Sequence, residues 1–177
     1  QWANIHFSTK NANNQLIHTN ITGGGNTTTY HAMVFIGHQG SALIDNCVIN
    51  YSSTNGIMAE NTDAELDGIS NSDISLCSLY PINVSSRHVH TIAASNTGGG
   101  NGDDLIEVRP SQLQQPVTWN KSIFPYHING SLSIFTDLTV APGTRFTFAP
   151  GARMQIVTNG SLNCVGTANE HIIFRGE

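Results

Sequence analysis

The sequence predicts an all-β fold, a single-stranded right-handed parallel β-helix of about seven or eight coils at roughly 22–25 residues per coil. Short stretches with alternating apolar side chains recur along the whole chain, separated by Gly, Asn, Asp or Ser. Successive stretches resemble one another when the chain is aligned with itself at an offset of about one coil. No stretch has the pattern of an amphipathic helix. We therefore expect residues 1–177 to form one β-helix domain.

The expected strands succeed one another at short intervals from one end of the chain to the other. Strands this short cannot each bury a useful face in a hairpin meander, but they can when they are stacked coil on coil. In chain order, they are residues 4–7, 16–22, 32–36, 42–50, 56–59, 64–66, 68–76, 81–84, 90–93, 105–108, 131–135, 138–140, 145–148, 154–157 and 172–174.

A specific register is indicated by the aligned stretches. Residues 44–50 align with residues 69–75 at an offset of 25, and Ile57 aligns with Ile82 at the same offset. Residues 16–21 join the series at an offset of 28 from residues 44–49. Asn46 and Asn71 then occupy equivalent positions about 4.8 Å apart, a spacing that suits an asparagine ladder. A jelly roll or sandwich would instead require hairpin turns between longer strands.

The composition excludes several classes of partner. Charged residues make up only 11% of the chain, and the formal net charge is -5, with no basic patch for nucleic acid. No stretch of about 18 apolar residues is present, so no membrane insertion is expected. Neutral, hydrogen-bonding residues fill the surface instead, a composition common in extracellular β-solenoids. We expect an extracellular or cell-surface location.

The three cysteines, Cys47, Cys77 and Cys164, are widely and irregularly spaced. An odd number at such spacing is not a disulfide framework, and no pair has zinc-ligand spacing. We expect buried thiols that pack as small apolar side chains. One disulfide with a spare thiol is the alternative.

From residue 118 onward the chain carries a series of short motifs. They include Leu138-Thr139-Val140-Ala141-Pro142-Gly143-Thr144, Gly160-Ser161-Leu162, Gly166-Thr167 and Ile172-Ile173-Phe174-Arg175-Gly176. This series resembles the repeat pattern of bacterial right-handed β-helix surface proteins of the pectate-lyase-like superfold. Trp2 to Phe7 resembles the segment that comes after that pattern in the family, so the resemblance covers most of the chain in a permuted order. It implies a repeated module of a large surface-exposed or secreted protein.

The permuted order suggests that the C-terminal end of one copy can contact the N-terminal end of another. Phe174 to Glu177 continues naturally into Gln1-Trp2-Ala3-Asn4-Ile5, and neither end shows an amphipathic or charged cap. Because the end coils of a β-helix expose strand edges, we expect copies of the chain to pack end to end, or the chain to be one unit of a tandem array. The expected interface residues are Trp2, Ile5, Phe7, Ile172, Ile173 and Phe174.

One segment matches a metal-binding pattern. Residues 99–107 fit the glycine-rich nonapeptide in which backbone carbonyls and an aspartate bind calcium, here Asp103 or Asp104. Calcium sites of this kind need consecutive copies, and only one copy is present. An ordinary glycine-rich corner, with no cofactor, is the preferred interpretation.

A carbohydrate site is the remaining possibility. Carboxylates cluster at Glu60, Asp63, Glu65 and Asp67, and Arg87, His88 and His90 are possible bases for polysaccharide cleavage. His88 and His90 would share one face of a strand, as a metal pair would. Arg87, His88 and Tyr51 are the candidate carbohydrate-contacting residues, with Tyr51 as a possible stacking face for a sugar. No lyase or polygalacturonase motif surrounds these residues.

Two functions therefore remain open. The sequence favours a non-catalytic structural or adhesive module that stacks end to end, with copies of itself as partners. The alternative is a protein that binds or cleaves polysaccharide, for which the long outer surface of a β-helix is suited.

Overall fold

The strands stack in parallel into a β-solenoid of about seven turns, as predicted. The structure is a computed structural model that describes residues 2–26, 28–60 and 63–177, so Gln1 lies outside the described residues. Apart from the coil that begins at β10, each complete coil contributes one strand to each of three walls. Alternate side chains point into the solenoid, where Ile, Val and Leu dominate the buried core.

The first wall is one continuous sheet of eight strands. Numbered in chain order, its strands are β1 (Ile5–Phe7), β4 (Ala32–Ile36), β7 (Asn55–Ala59), β10 (Ile82–Ser85), β11 (Ile106–Arg109), β14 (Tyr126–Ile128), β17 (Arg145–Phe148) and β20 (Ile173–Gly176).

The other two walls are each divided into two three-stranded sheets. The second wall consists of β2 (Gln15–Ile17), β5 (Ser41–Asp45) and β8 (Glu65–Ser70), then β12 (Ser111–Leu113), β15 (Ser131–Ile134) and β18 (Arg153–Ile156). The third wall consists of β3 (Asn20–Thr22), β6 (Val48–Asn50) and β9 (Asp73–Ser75), then β13 (Val117–Trp119), β16 (Asp137–Val140) and β19 (Ser161–Cys164).

The predicted register is confirmed. Ile44 pairs with Leu16 on one side and with Ile69 on the other. Ile57 pairs with Ile82, and residue 49 pairs with residues 21 and 74. Stacking these branched side chains in columns buries them against one another from coil to coil, so apolar residues must recur at the spacing of one coil.

Asn46 and Asn71 occupy equivalent corners, but the predicted ladder between them is wrong. Both adopt left-handed backbone conformations, with φ of 51° and 49°, which Asn tolerates better than most residues. Their side-chain amides do not bond to each other; both donate to the Asp45 carboxylate, at 2.6 Å from Asn46 and 2.9 Å from Asn71. The Asp45 carboxylate therefore links the two corners, in place of a direct contact between the amides.

The coils differ in length. The inward column of the first wall passes through positions 5, 34, 57, 82, 106, 126, 146 and 174. Successive positions are farthest apart in the chain at the two ends of this series and closest together between 106 and 146. The shortening begins where Pro110 alone joins β11 to β12. The coils therefore contain the most residues at both ends and the fewest at β11 and β14.

The second wall is interrupted at the same place. A 3₁₀ helix, Ser86–Thr91, stands where the fourth coil would contribute a strand between β8 and β12. The strand predicted at residues 90–93 is therefore wrong, apart from an isolated parallel bridge between Ile69 and Ile92. Val89 at the centre of the helix is fully buried and keeps the core continuous.

An aromatic stack fills the core of the narrow coils. Trp119, Tyr126 and Phe146 are fully buried, with ring centroids 5.6–6.0 Å apart, a separation typical of favourable aromatic pairs. The Tyr126 hydroxyl donates to the Asn120 carbonyl at 2.7 Å. Cys47 and Cys77 are buried free thiols, as expected, whereas Cys164 is a free thiol that is only half-buried.

Candidate functional site

The C-terminal end of the solenoid leaves part of the core accessible. The inward side chains of the last coil are half-buried or exposed: Ala152, Met154, Ile156, Leu162, Cys164, Ile172 and Phe174. Phe174 stacks on Phe146 with ring centroids 4.9 Å apart and planes 6° from parallel. Phe174 nevertheless remains 48% exposed, because no coil covers its other face within the described residues.

The N-terminal end is also open. Ile5 and Phe7 of β1 pack against the core but are only half-buried. Trp2 is 40% exposed; its indole N–H donates to the Thr22 carbonyl at 3.0 Å, and its ring lies against Gly24. A Cβ at Gly24 would overlap that ring, so a side chain there would displace Trp2 from this position.

The six predicted interface residues thus divide between two opposite edges of the first wall. Ile5, Phe7 and Phe174 lie on inward columns, and Ile172 packs partly against the core. Ile173 lies on the outward side of β20 and is 47% exposed. All six are at an end of the solenoid.

A groove runs along the second wall. Its larger part, about 1010 Å³, lies over the 3₁₀ helix between β8 and β12. Its smaller part, about 490 Å³, crosses β2, β5 and β8, and the two parts share Glu65 and Asp67. We call the combined surface the axial groove. It exists because a helix replaces a strand where the coils shorten.

The groove brings together several of the predicted residues. Glu65 and Asp67 of β8 line it together with Arg87, His88 and His90 of the 3₁₀ helix. Glu65 forms an ion pair with Lys10 at 2.6 Å. Burial and the nearby Glu65 raise the pKa of Asp67.

The two histidines are not a metal pair. They lie on a helix rather than a strand; His88 is 4% exposed whereas His90 is exposed. His88 Nε2 lies 3.3 Å from the Glu60 carbonyl. Burial, helped by the neighbouring Arg87, lowers the pKa of His88 to about 4. Burial also lowers the pKa of His90, so both are neutral near pH 7.

Other predicted site residues lie elsewhere. Tyr51 is 58% exposed at the corner after β6, with φ of 57°, and does not line the groove with Arg87 and His88. Glu60 and Asp63 also lie outside the groove lining. Asp63 Oδ2 lies 3.9 Å from His38 Nδ1, and both side chains are exposed. The predicted carboxylate cluster is therefore divided.

The glycine-rich loop is organised by its own hydrogen bonds. The Asp104 carboxylate accepts from the backbone N–H groups of Gly100 and Asn101, at 3.2 and 3.1 Å, and from the Asn101 amide at 2.8 Å. These donors occupy the carboxylate that the calcium motif would supply. Among residues 2–26, 28–60 and 63–177, no group of three or more His, Cys, Asp or Glu is arranged to hold a metal ion.

The sequence did not single out the rest of the groove. Ser85 and Gln112, together with Gln114, Gln115, Thr118 and Asn120, line the part over the helix. The cluster of glutamines within residues 112–115 was the only sequence feature that could have indicated a polar surface here. Placing these glutamines beside the 3₁₀ helix, however, requires knowing that the chain turns sharply at Pro110.

In the described part of the chain, no helix has the length and apolarity needed to cross a membrane. No protein-family model, curated protein or solved structure matches the chain.

Proposed function

We propose that the chain is a non-catalytic structural or adhesive module of an extracellular or cell-surface protein, which stacks end to end with further β-helix coils into a tandem array or fibre. The observation that carries the proposal is the state of the two ends. Within the described residues, β1, β2 and β3 at one end and β18, β19 and β20 at the other pair on one side only. Both ends also present half-buried core side chains.

The parallel arrangement determines how such an interface would form. All walls are parallel, so the N-terminal edge of one copy can extend the C-terminal edge of another with the same strand direction. That contact is head-to-tail, and it repeats without closing. Continuing the first-wall columns places the next copy's Ile5 over Phe174 and its Phe7 over Gly176.

The ends also have similar sizes. The first coil, from position 5 to position 34, is nearly as long as the last coil, from 146 to 174. The coils between positions 106 and 146 are much shorter. An added copy would therefore meet a coil with nearly the same number of residues as its own first coil. Each large apolar side chain that becomes fully buried contributes up to about 1.5–3 kcal/mol.

The test uses two variants that each block one end. We expect the 177-residue chain to form concentration-dependent oligomers in analytical ultracentrifugation, and Phe174→Asp and Ile5→Asp each to remain monomeric. Mixing the two variants should give a dimer that grows no further, because each retains one intact end.

Phe135→Asp is the matched control, since Phe135 is 39% exposed on the side of the solenoid. It should oligomerise like the unmodified chain, with folding of all variants checked by circular dichroism. A wild-type chain that stays monomeric at millimolar concentration contradicts the proposal. So does a mixture of the two blocked variants that remains monomeric.

A further inference from the structure

The axial groove has the features of a ligand site that is independent of the end faces. Its larger part is at the upper end of the roughly 300–1,000 Å³ typical of ligand pockets. The whole groove runs along the solenoid axis from β2 to β12, four coil steps or about 19 Å at the usual strand spacing. Its shape therefore suits an extended chain rather than a compact molecule.

The lining is rich in side chains that both donate and accept hydrogen bonds. Gln112, Gln114 and Gln115 carry amides with two donors and two acceptor lone pairs, and Thr91 and Thr118 add hydroxyls. Most of these groups are exposed or half-buried. Such a surface matches a ligand whose own groups both donate and accept.

A buried polar atom at the base of the groove also favours a ligand that forms hydrogen bonds. Ser85 lines the groove and is only 1% exposed, yet its hydroxyl has no hydrogen-bond partner within the described structure. Ser85 immediately precedes the 3₁₀ helix but makes no side-chain capping bond to it. A buried hydroxyl without a partner costs about 1–3 kcal/mol, and a ligand hydroxyl reaching the base of the groove would offset that cost.

The charges of the groove select the kind of ligand. Lys10 and Arg87 are opposed by Glu65 and Asp67, which gives equal numbers of positive and negative side chains. His88 and His90 are neutral near pH 7 because burial lowers the pKa of both. A strongly anionic polymer would gain little from such a balanced surface.

We propose that the axial groove binds an uncharged, hydroxyl-rich glycan chain that lies parallel to the solenoid axis. Arg87 donates to ring or hydroxyl oxygens, Asp67 accepts from hydroxyls, and the glutamines form paired hydrogen bonds on the opposite side. The groove binds the glycan without cleaving it.

Isothermal titration calorimetry tests the proposal with hexasaccharides of β-1,4-glucan, β-1,3-glucan, mannan and xylan, and with an oligogalacturonate as the acidic probe. We expect at least one neutral probe to bind with a dissociation constant of about 1 mM or tighter. Arg87→Gln should weaken that binding about tenfold or more, and Gln112→Ala roughly threefold to tenfold.

Gln155→Ala is the matched control. Gln155 belongs to the same outward column as Gln112, two coils along, and lies outside the groove lining. It should leave binding unchanged. The proposal is overturned if no neutral probe binds, if only the acidic probe binds, or if Arg87→Gln and Gln112→Ala bind as tightly as Gln155→Ala. The oligomeric state is measured in the absence of glycan. A negative glycan-binding result therefore does not bear on the end-to-end proposal.

Discussion

At the scale of single residues, Asp45 connects two neighbouring coils at a corner of the solenoid. Its carboxylate accepts from the Ser70 hydroxyl at 2.5 Å and from the amides of Asn46 and Asn71. These hydrogen bonds favour the ionised acid and lower its pKa below the ordinary value of 3.8. The corner is thus stabilised by a charged acceptor rather than by stacked amides.

The effect of Asp45 on stability should depend on pH. Because its pKa is lower in the folded than in the unfolded chain, the stabilisation is complete well above pH 3.8 and disappears as the pH falls through the folded-state pKa. Asp45→Asn should therefore melt below the unmodified chain at pH 6, with the difference shrinking toward pH 2 in thermal scans. An equal difference at both pH values would contradict this assignment.

The corner also shows what can be inferred from sequence at this scale. Aligning residues 44–50 with residues 69–75 placed Asn46 and Asn71 correctly, because buried Ile columns force one register. The hydrogen-bond partner was missed, since Asp45 lies on the outward side of β5 and no apolar pattern constrains it. Side-chain pairing at an exposed corner depends on rotamers that the spacing of apolar residues does not encode.

At the scale of secondary-structure elements, the 3₁₀ helix is the least regular part of the solenoid and forms the base of the groove. The alternation His88-Val89-His90 is compatible with a strand and equally with a turn of helix. The helix begins at a contact that is distant in the chain: the Ser86 N–H donates to the Ser111 hydroxyl at 3.0 Å, 25 residues along. Local pattern could therefore predict the buried Val89 but not the helix around it.

Because His88 is buried in this helix, the free energy of unfolding should depend on pH in a second range. Its pKa is about 4 in the folded chain against 6.5 for an exposed histidine, so the unfolded chain binds the proton more readily between these values. Stability should fall as the pH decreases from 6.5 toward 4, by up to roughly 3 kcal/mol.

Urea unfolding at several pH values measures that loss. His88→Gln, which keeps a donor for the Glu60 carbonyl, should remove most of the pH dependence in this range. His171→Gln is the control, because His171 is exposed. The assignment is wrong if the two variants retain the same pH dependence.

At the scale of the whole molecule, stability and assembly should be coupled. A chain that stacks gains stability by mass action, because the folded form alone can present matching ends. The melting temperature of the unmodified chain should therefore rise with protein concentration. The Phe174→Asp variant should melt at one temperature across the same range in differential scanning calorimetry. A concentration-independent melting temperature for both would show that the exposed ends do not associate.

The sequence predicted the fold at this scale because each coil must place apolar side chains at the same inward positions. It did not predict the groove, since that feature arises from the change to shorter coils after Ile106 and belongs to no single motif. The shortening depends on Pro110 and on the tight corner at residues 129–130, which join adjacent strands directly.

The unequal coils have a consequence for the proposed end-to-end contact. Within the described residues, the first and last coils each have a free side, and both contain more residues than the coils between Ile106 and Phe146. If copies stack as proposed, each junction joins two long coils, and the short coils lie between junctions. The unevenness within one copy would then become a regular period along the array.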